Sequence, residues 1–291
     1  MTSAAEKRGA VIVNAFWRGG DEGANKIREA LRAQGANVSL FRTNELFLRI
    51  DDGIKGAYPL DYAVYLDKDI HAARLLEEMG VTLFNSAESI RLADDKMLTH
   101  VALAAAHIPQ PATISSPLCF SPREKDDFAD KVAETLSFPI VVKKCHGAFG
   151  KQVYLARNID ELRSLREALI AEPHIYQEYV ECGASDLRVI VIGGEAVAAM
   201  RRKATATGEF RANAELGGTG EKIEPTPALK SLAEASARAL GLCYAGVDIL
   251  ESDRGLLVTE VNSNAQYRLI ESVTGVDVAA RYAEYILSKV Q

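Results

Sequence analysis

Long hydrophobic runs are missing from this 291-residue chain. No apolar stretch approaches the roughly 18 residues that a membrane span needs, and Met1 to Ala10 lacks the apolar core of a signal peptide. A membrane partner is therefore not expected. Cysteine is scarce: Cys119, Cys145, Cys182 and Cys243 show no CxxC and no regular spacing. That pattern excludes a disulfide framework or a zinc knuckle and points to a reducing, cytoplasmic setting. A cationic excess is missing as well, since the net charge is −6, which argues against a dedicated nucleic-acid binder. Neither G-x-G-x-x-G in the first loop nor the G-x-x-x-x-G-K-[ST] phosphate loop occurs, and there is no internal repeat or low-complexity segment.

What remains is an ordinary globular mixture, 48% apolar and 25% charged, enough for a sizeable core. The length allows one large domain or two to three small lobes. Ala10-Val11-Ile12-Val13-Asn14 reads as a buried parallel strand, followed by a glycine-bearing loop and a helix with Ile27, Ala30, Leu31 and Ala33, closed by Gly35. Strands at 38–41, 62–66 and 81–84, with a helix ending at Gly80, complete a small doubly wound lobe over 1–92. A helix over about Ile90 to Ala106 opens a central lobe, 93–177, in which Pro139–Lys143 and Val153–Ala156 bracket a glycine-containing loop. Strands dominate the last lobe, 178–291, around one long helix from Pro227 to Leu240.

Tyr244 to Glu260 reads as a hairpin closed by Asp253-Arg254-Gly255, with glycine at the left-handed position of a three-residue loop. Centring it on Arg254 sets Asp248 opposite Glu260, with Cβ atoms roughly 4.5–5.5 Å apart. Asn262 lies two residues on, hence on the same face as Glu260. Two unpaired carboxylates this close repel, and a hard divalent cation held by oxygen ligands removes the problem. By spacing alone, a solvated hairpin face explains these acids equally well.

Other segments bear on that choice. Lys143 leaves an apolar strand and enters the small-residue loop that holds Gly147 and Gly150, where backbone N–H groups can approach phosphate oxygens. Lys96 follows Asp95 within the helical segment. Gln177-Glu178-Tyr179 suggests an extended segment able to read an adenine edge, and Asp186 could then bond ribose hydroxyls. Arg201-Arg202-Lys203 and Arg211-Ala212-Asn213 add cations and an amide of the kind that phosphate chemistry uses as clamps. Each of these taken singly also fits a surface loop or helix.

Taken in order, Asp95-Lys96, Pro139-x-Val141-Val142-Lys143, Gln177-Glu178-Tyr179, Asp186-x-Arg188, Arg211-x-Asn213, Gly246-x-Asp248 and Glu260-x-Asn262 resemble the motif series of ATP-grasp ligases. Arg211-Ala212-Asn213, Ala245–Leu250 and Thr274–Ala279 look like the RimK-type amino-acid (glutamate) ligases, over about residues 90 to 291. The resemblance implies an α/β (α+β) ATP-grasp fold, a small doubly wound lobe followed by two α+β lobes clasping ATP. It implies an ATP-dependent carboxylate–amine ligase working through an acyl phosphate, with a small-molecule or peptide carboxylate and an amine or amino acid as substrates. Lys96, Lys143, Gly147, Gly150, Glu178, Tyr179, Asp186, Arg211 and Asn213 would bind ATP. Asp248, Glu260 and Asn262 would hold two magnesium ions, with manganese able to substitute. Arg188, Arg201 and Arg202 are the candidates for stabilising charge at the reacting centre. A homo-oligomer is left open. Two other readings stay open too: a non-catalytic ATP-binding regulatory module, and an enzyme that passes its acyl phosphate to a non-amine acceptor.

The chain departs from that family at Ser263-Asn264-Ala265-Gln266-Tyr267-Arg268, where RimK-type ligases continue with small residues, Pro and Gly. Asn264, Tyr267 and Arg268 are therefore expected to border an altered acceptor pocket. Leu66-Asp67-Lys68-Asp69 is strongly charged where the first lobe should face the site, and Lys68 is expected to clamp a substrate carboxylate.

Overall fold

The computed structural model describes residues 7–17, 19–119, 127–147, 152–204 and 219–290. The first apolar run becomes β1 (Arg8–Val13), whose last five residues are buried. It leads to α1 (Glu22–Ala33) and β2 (Asn37–Arg42), then a two-stranded ribbon of β3 (Arg49–Ile50) and β4 (Ile54–Lys55). β5 (Tyr62–Leu66), α2 (Ile70–Glu78) and β6 (Thr82–Phe84) follow. Parallel pairing gives the sheet order β2-β1-β5-β6. α1 buries Ala24 and Ile27 on the face that carries Val11, Val13 and Val64. α2 buries Ala73 and Leu76 on the opposite face, against Ala10, Ile12 and Tyr65. The chain thus changes sides between β1 and β5. The crevice beyond the carboxyl ends of two such strands is where open α/β sheets receive ligands.

The helix expected over 90–106 is two helices. α3 (Ala87–Asp94) stops at Asp95, whose extended backbone (φ −93°, ψ 110°) also starts α4 (Lys96–Ala105). The Asp95 carboxylate accepts from the N–H groups of Met97 and Leu98, so a capping aspartate breaks a pattern that apolar spacing alone reads as continuous. Then come β7 (Thr113–Ser115), α5 (Phe128–Thr135), β8 (Ile140–Lys144), β9 (Val153–Ala156), α6 (Ile159–Ala168) and β10 (His174–Glu178). Their sheet runs β7-β10-β8-β9, antiparallel throughout. Its core is its own: Val132, Ile140, Val142, Leu162 and Tyr176.

The third sheet, β13-β12-β11-β14-β15, is built from β11 (Ser185–Ile192), β12 (Glu195–Lys203), β13 (Thr219–Lys222), β14 (Tyr244–Ser252) and β15 (Gly255–Asn262). α7 (Pro227–Ala239) covers one face, packing Leu229, Ala233 and Ala237 on Val189, Val247 and Val261. The other face begins apolar, with Ile190, Ile192 and Tyr244 joining the core of the first sheet, together with Tyr282 and Ile286 of α9 (Val278–Val290), which follows α8 (Arg268–Thr274). Further along the same strands that face turns charged. Asn85, just after β6, fastens the two sheets together. Its buried amide donates to the carbonyls of Tyr244 (2.8 Å) and Ser263 (3.0 Å) and accepts from the N–H groups of Cys243 (2.7 Å) and Tyr244 (3.0 Å). No described helix is long and apolar enough to cross a membrane.

Candidate active site

The hairpin brings Asp248 opposite Glu260, as the spacing predicts, by a different route. Ser252 pairs with Gly255, so the turn has two residues, Asp253 and Arg254, rather than three. A regular strand would then set Thr259 against Asp248 and turn Glu260 toward α7. A bulge at Thr259 absorbs the extra residue: Ile249 pairs with Val258 and Asp248 with Glu260. Val258 and Val261, three apart, can both be buried under α7, while Glu260 and Asn262 stand on the charged face.

That face carries a compact charge network. Arg188, one strand over, pairs with Asp248 through Nε and through Nη2 at 2.7 Å. Arg202 bridges Asp248 (3.0 Å) and Asp186 (2.5 Å). Two guanidiniums therefore offset two carboxylates in a site where all four side chains are at most 12% exposed. Burial pushes the Asp248 carboxyl up, and Arg188 and Arg202 overcome this and hold it below the ordinary carboxylate range. This corrects the expectation of two mutually repelling acids, because Asp248 is already compensated by arginine. Gly246 makes room for the arrangement. A Cβ there would meet Ala265 Cβ at 2.4 Å and Arg188 Nη1 at 3.4 Å.

Glu260 is different. Its side chain is 34% exposed, and its cationic neighbour is Lys96 Nζ at 3.8 Å. Lys96 stands at the first turn of α4, its N–H bonded to Cys145 O and its Nζ to Gly147 O at 3.4 Å. A Cβ at Gly147 would lie 2.5 Å from Gln152 Oε1, so the loop accepts only glycine without a shift. Lys143, on the face of β8 away from its core, donates to Gln177 Oε1 at 2.6 Å. Desolvation lowers Lys143 to about 8, with Glu260 opposing and Lys96 reinforcing the fall.

A polar relay behind Lys143 went unread in the sequence. His100 Nδ1 lies 2.6 Å from Gln110 Oε1 and its Nε2 lies 2.9 Å from Gln177 Nε2. Burial lowers His100 to about 4, so the ring is neutral. Gln110 Oε1 then accepts a hydrogen bond from the Nδ1–H, and the bare Nε2 accepts from Gln177 Nε2. That orientation turns Gln177 Oε1 toward Lys143. His100, Gln110 and Gln177 lie up to 77 positions apart, and no local pattern marks them as one unit.

A cavity of about 340 Å³ opens between the charged face and the first sheet. Arg188, Arg202, Glu260 and Asn262 line one side, and Asn14, Trp17, Asp67 and Lys68 the other, with Asn264 and Tyr267 between. Asn264 Nδ2 donates to Leu66 O (2.8 Å) and Tyr267 OH to Gly23 O (2.6 Å), so both fix the seam of the two sheets. Lys68 borders the cavity, yet its ammonium is paired with Asp94 at 2.6 Å.

Three expectations need correcting. Arg201 pairs with Glu251 (2.5 Å) and, by strand alternation, stands on the face opposite Arg188 and Arg202. Arg268 is 64% exposed, pairs with Glu22 and does not line the cavity. Asp186 is committed to Arg202 rather than open to a ribose. Glu178 holds Ala112 N (3.2 Å) and Arg254 (2.6 Å) with its carboxylate, and its N–H bonds Ala112 O. Tyr179 follows at the end of β10, partly buried. Gly150, Arg211 and Asn213 lie outside the described residues.

The donor set suits a hard divalent cation. Asp248, Glu260 and Asn262 carry only oxygen or amide groups on one face; Glu260 and Asn262 line the cavity, whereas both oxygens of Asp248 are held by Arg188 and Arg202. Among the described residues no cluster of three or more His, Cys, Asp or Glu could hold an ion alone. Such a site needs further oxygens from outside, as magnesium takes from nucleotide phosphates.

The comparisons with known proteins agree with this geometry. A structure of a RimK-domain ATP-grasp protein from Sphaerobacter thermophilus superimposes with a TM-score of 0.76, covering 96% of this chain and 98% of that one at 23% identity. The ATP-grasp ligase PsnB, solved with a precursor variant, Mg and ADP, gives 0.70 over 98% and 99% at 19% identity. The fold is thus that of the ATP-grasp ligases. The model of the RimK-like ATP-grasp domain matches residues 93–286. A relative in Xanthomonas oryzae pv. oryzae, named a probable alpha-L-glutamate ligase, is 40% identical over 221 residues, 75% of this chain and 72% of the relative. The chain belongs to the RimK-like ATP-grasp family and is an ATP-dependent ligase.

Proposed function

We propose that this protein joins a carboxylate to an amine, consuming ATP, through an acyl-phosphate intermediate, and that the amine partner is an amino acid such as glutamate. The observation that carries the reading is the pairing of Asp248 with Glu260 on a charged sheet face that borders a cavity and lies beside Lys96. The relatives' name, probable alpha-L-glutamate ligase, supports the amino-acid part. Lobes over 1–92, 93–177 and 178–291 would divide the work, ATP lying between the second and third.

In this mechanism a substrate carboxylate oxygen attacks the γ-phosphorus of ATP, and the bond to the β–γ bridging oxygen breaks to release ADP. The amine nitrogen then attacks the acyl carbon, the C–O bond to phosphate breaks, and the amine gives up a proton, leaving an amide and inorganic phosphate. Lys96 and Lys143 hold the phosphate oxygens, and Gly147 lets the backbone approach them. Arg188 and Arg202 keep Asp248 ionised and present positive charge to the cavity where the acyl phosphate forms. Asp248, Glu260 and Asn262 would hold the two magnesium ions, whose charge would neutralise the phosphoryl oxygens. Glu178 and Tyr179 hold the adenine, and Arg211 and Asn213 the triphosphate.

The test is ADP release with all amino acids, singly and in pairs, read together with product mass. A new mass equal to two substrates less water, formed only with ATP, is expected. Nucleotide binding without turnover under every mixture would overturn the reading.

A further inference from the structure

The cavity wall supplied by the first sheet is anionic where a clamp for a carboxylate would be cationic. Asp67 follows β5, Asn14 follows β1, and these are the two strands between which the chain changes sides. Asp67 is 5% exposed. Its carboxylate receives Asn14 Nδ2 at 3.0 Å and 3.3 Å and the Lys68 N–H at 2.7 Å, all neutral donors. Among the described residues no lysine, arginine or histidine nitrogen lies within ion-pairing distance of it. Lys68, its neighbour in sequence, is turned to Asp94. A buried carboxylate with no compensating cation is costly, and its usual remedy is a positive partner. Elsewhere in this site every carboxylate at most 12% exposed has a guanidinium against it, as Asp186 and Asp248 do. Asp67 is the exception, and it faces the cavity.

We propose that Asp67, supported by Asn14, is the subsite for the ammonium group of an amino-acid ligand. The apolar residues on the same wall, Val13, Trp17, Ala24 and Leu66, suit the carbon skeleton beside that group. Arg188 and Arg202, across the cavity, carry charge of the right sign for the ligand's carboxylate. An amino acid thus spans the cavity as the carboxylate partner, its cationic end at the first sheet and its anionic end toward Arg188 and Arg202, while the attacking amine comes from the second substrate. The idea rests on the ligase reading only for what happens to the ligand next, since the subsite is a matter of binding.

Calorimetric titration of the whole chain, with ADP and magnesium present, tests this. The probes are the twenty L-amino acids and, for each that binds, the same acid lacking its α-amino group. Wild type should bind at least one amino acid, and about tenfold or more tighter than its des-amino analogue. Asp67→Asn should erase that preference with ADP affinity unchanged and the melting temperature equal or higher, since it removes an uncompensated buried charge, and Asp67→Glu should retain part of it. Binding of no amino acid, equal affinity of wild type for the two forms, or an undiminished preference in Asp67→Asn would each overturn the proposal. Failure of the ligase reading looks different: amino acids bind with the preference intact, but no ADP is released from ATP.

Discussion

The two walls of the site are built in contrasting ways. The wall holding Asp67, Asn264, Arg188 and Glu260 comes from the first and third sheets, which share one apolar core and are pinned by the four hydrogen bonds of Asn85. The wall holding Lys143 comes from the middle sheet, which has a separate core around Tyr176 and Ile140. The described backbone ties it to the rest at a few points, such as Lys96 N to Cys145 O and Val258 N to Pro109 O. The single shared core fixes the two sheets that line the cavity against each other. A separate core would let Lys143, proposed to bind phosphate, move as a unit over the nucleotide and so exclude water.

The largest effect should come from the point where the walls meet. Glu260→Ala removes the accessible carboxylate beside Lys96, so turnover should fall to below about one hundredth of wild type. A near-normal rate at saturating magnesium would refute the assignment. Melting should be unaffected, because the side chain is a third exposed. On the fused side, Asn85→Ala strands four buried backbone groups and should cost about 2–4 kcal/mol by denaturant titration. A loss below about 0.5 kcal/mol would mean that the shared core alone holds the sheets together.

On the wall built by the middle sheet, Lys143→Ala should raise the KM for ATP about tenfold or more with a smaller change in kcat. Lys143 adds a pH signature. Its folded value, about 8, lies below the ordinary lysine value of 10.5. The free enzyme therefore carries the cation below that pH and loses it above. Nucleotide affinity should fall as pH rises through about 8, and Lys143→Arg, which stays charged, should flatten the profile. The same shift makes the unfolded chain the better proton binder between about 8 and 10.5, so this group's contribution to stability rises with pH there. The smallest effect belongs to Gln177→Leu, which leaves Lys143 in place but frees its orientation: a few-fold rise in the KM for ATP, with kcat kept. An unchanged KM would show that the His100–Gln177 relay only supports the core.

Much of this contrast was legible in the sequence, because strand alternation and helix spacing are local. The doubly wound start, the hairpin and the face shared by Asp248, Glu260 and Asn262 could all be read that way. The hairpin register came out right only because a turn one residue too long was offset by the bulge at Thr259. Local reading failed where partners are distant. Asn85 as a fastener depends on neighbours 159 and 178 positions away, whereas Asp95 as a cap for Met97 and Leu98 and Arg201 on the far face were within local reach. Asp67 and Lys68 are not told apart by the sequence, which shows a charged run but not which charge is already paired.

The most direct test of the metal and phosphate centre is ADP affinity with and without magnesium, in wild type and in Glu260→Gln. Magnesium should strengthen ADP binding in wild type and give little or no gain in the variant, with both proteins melting alike. An equal gain in both would contradict the placement of the centre on this hairpin.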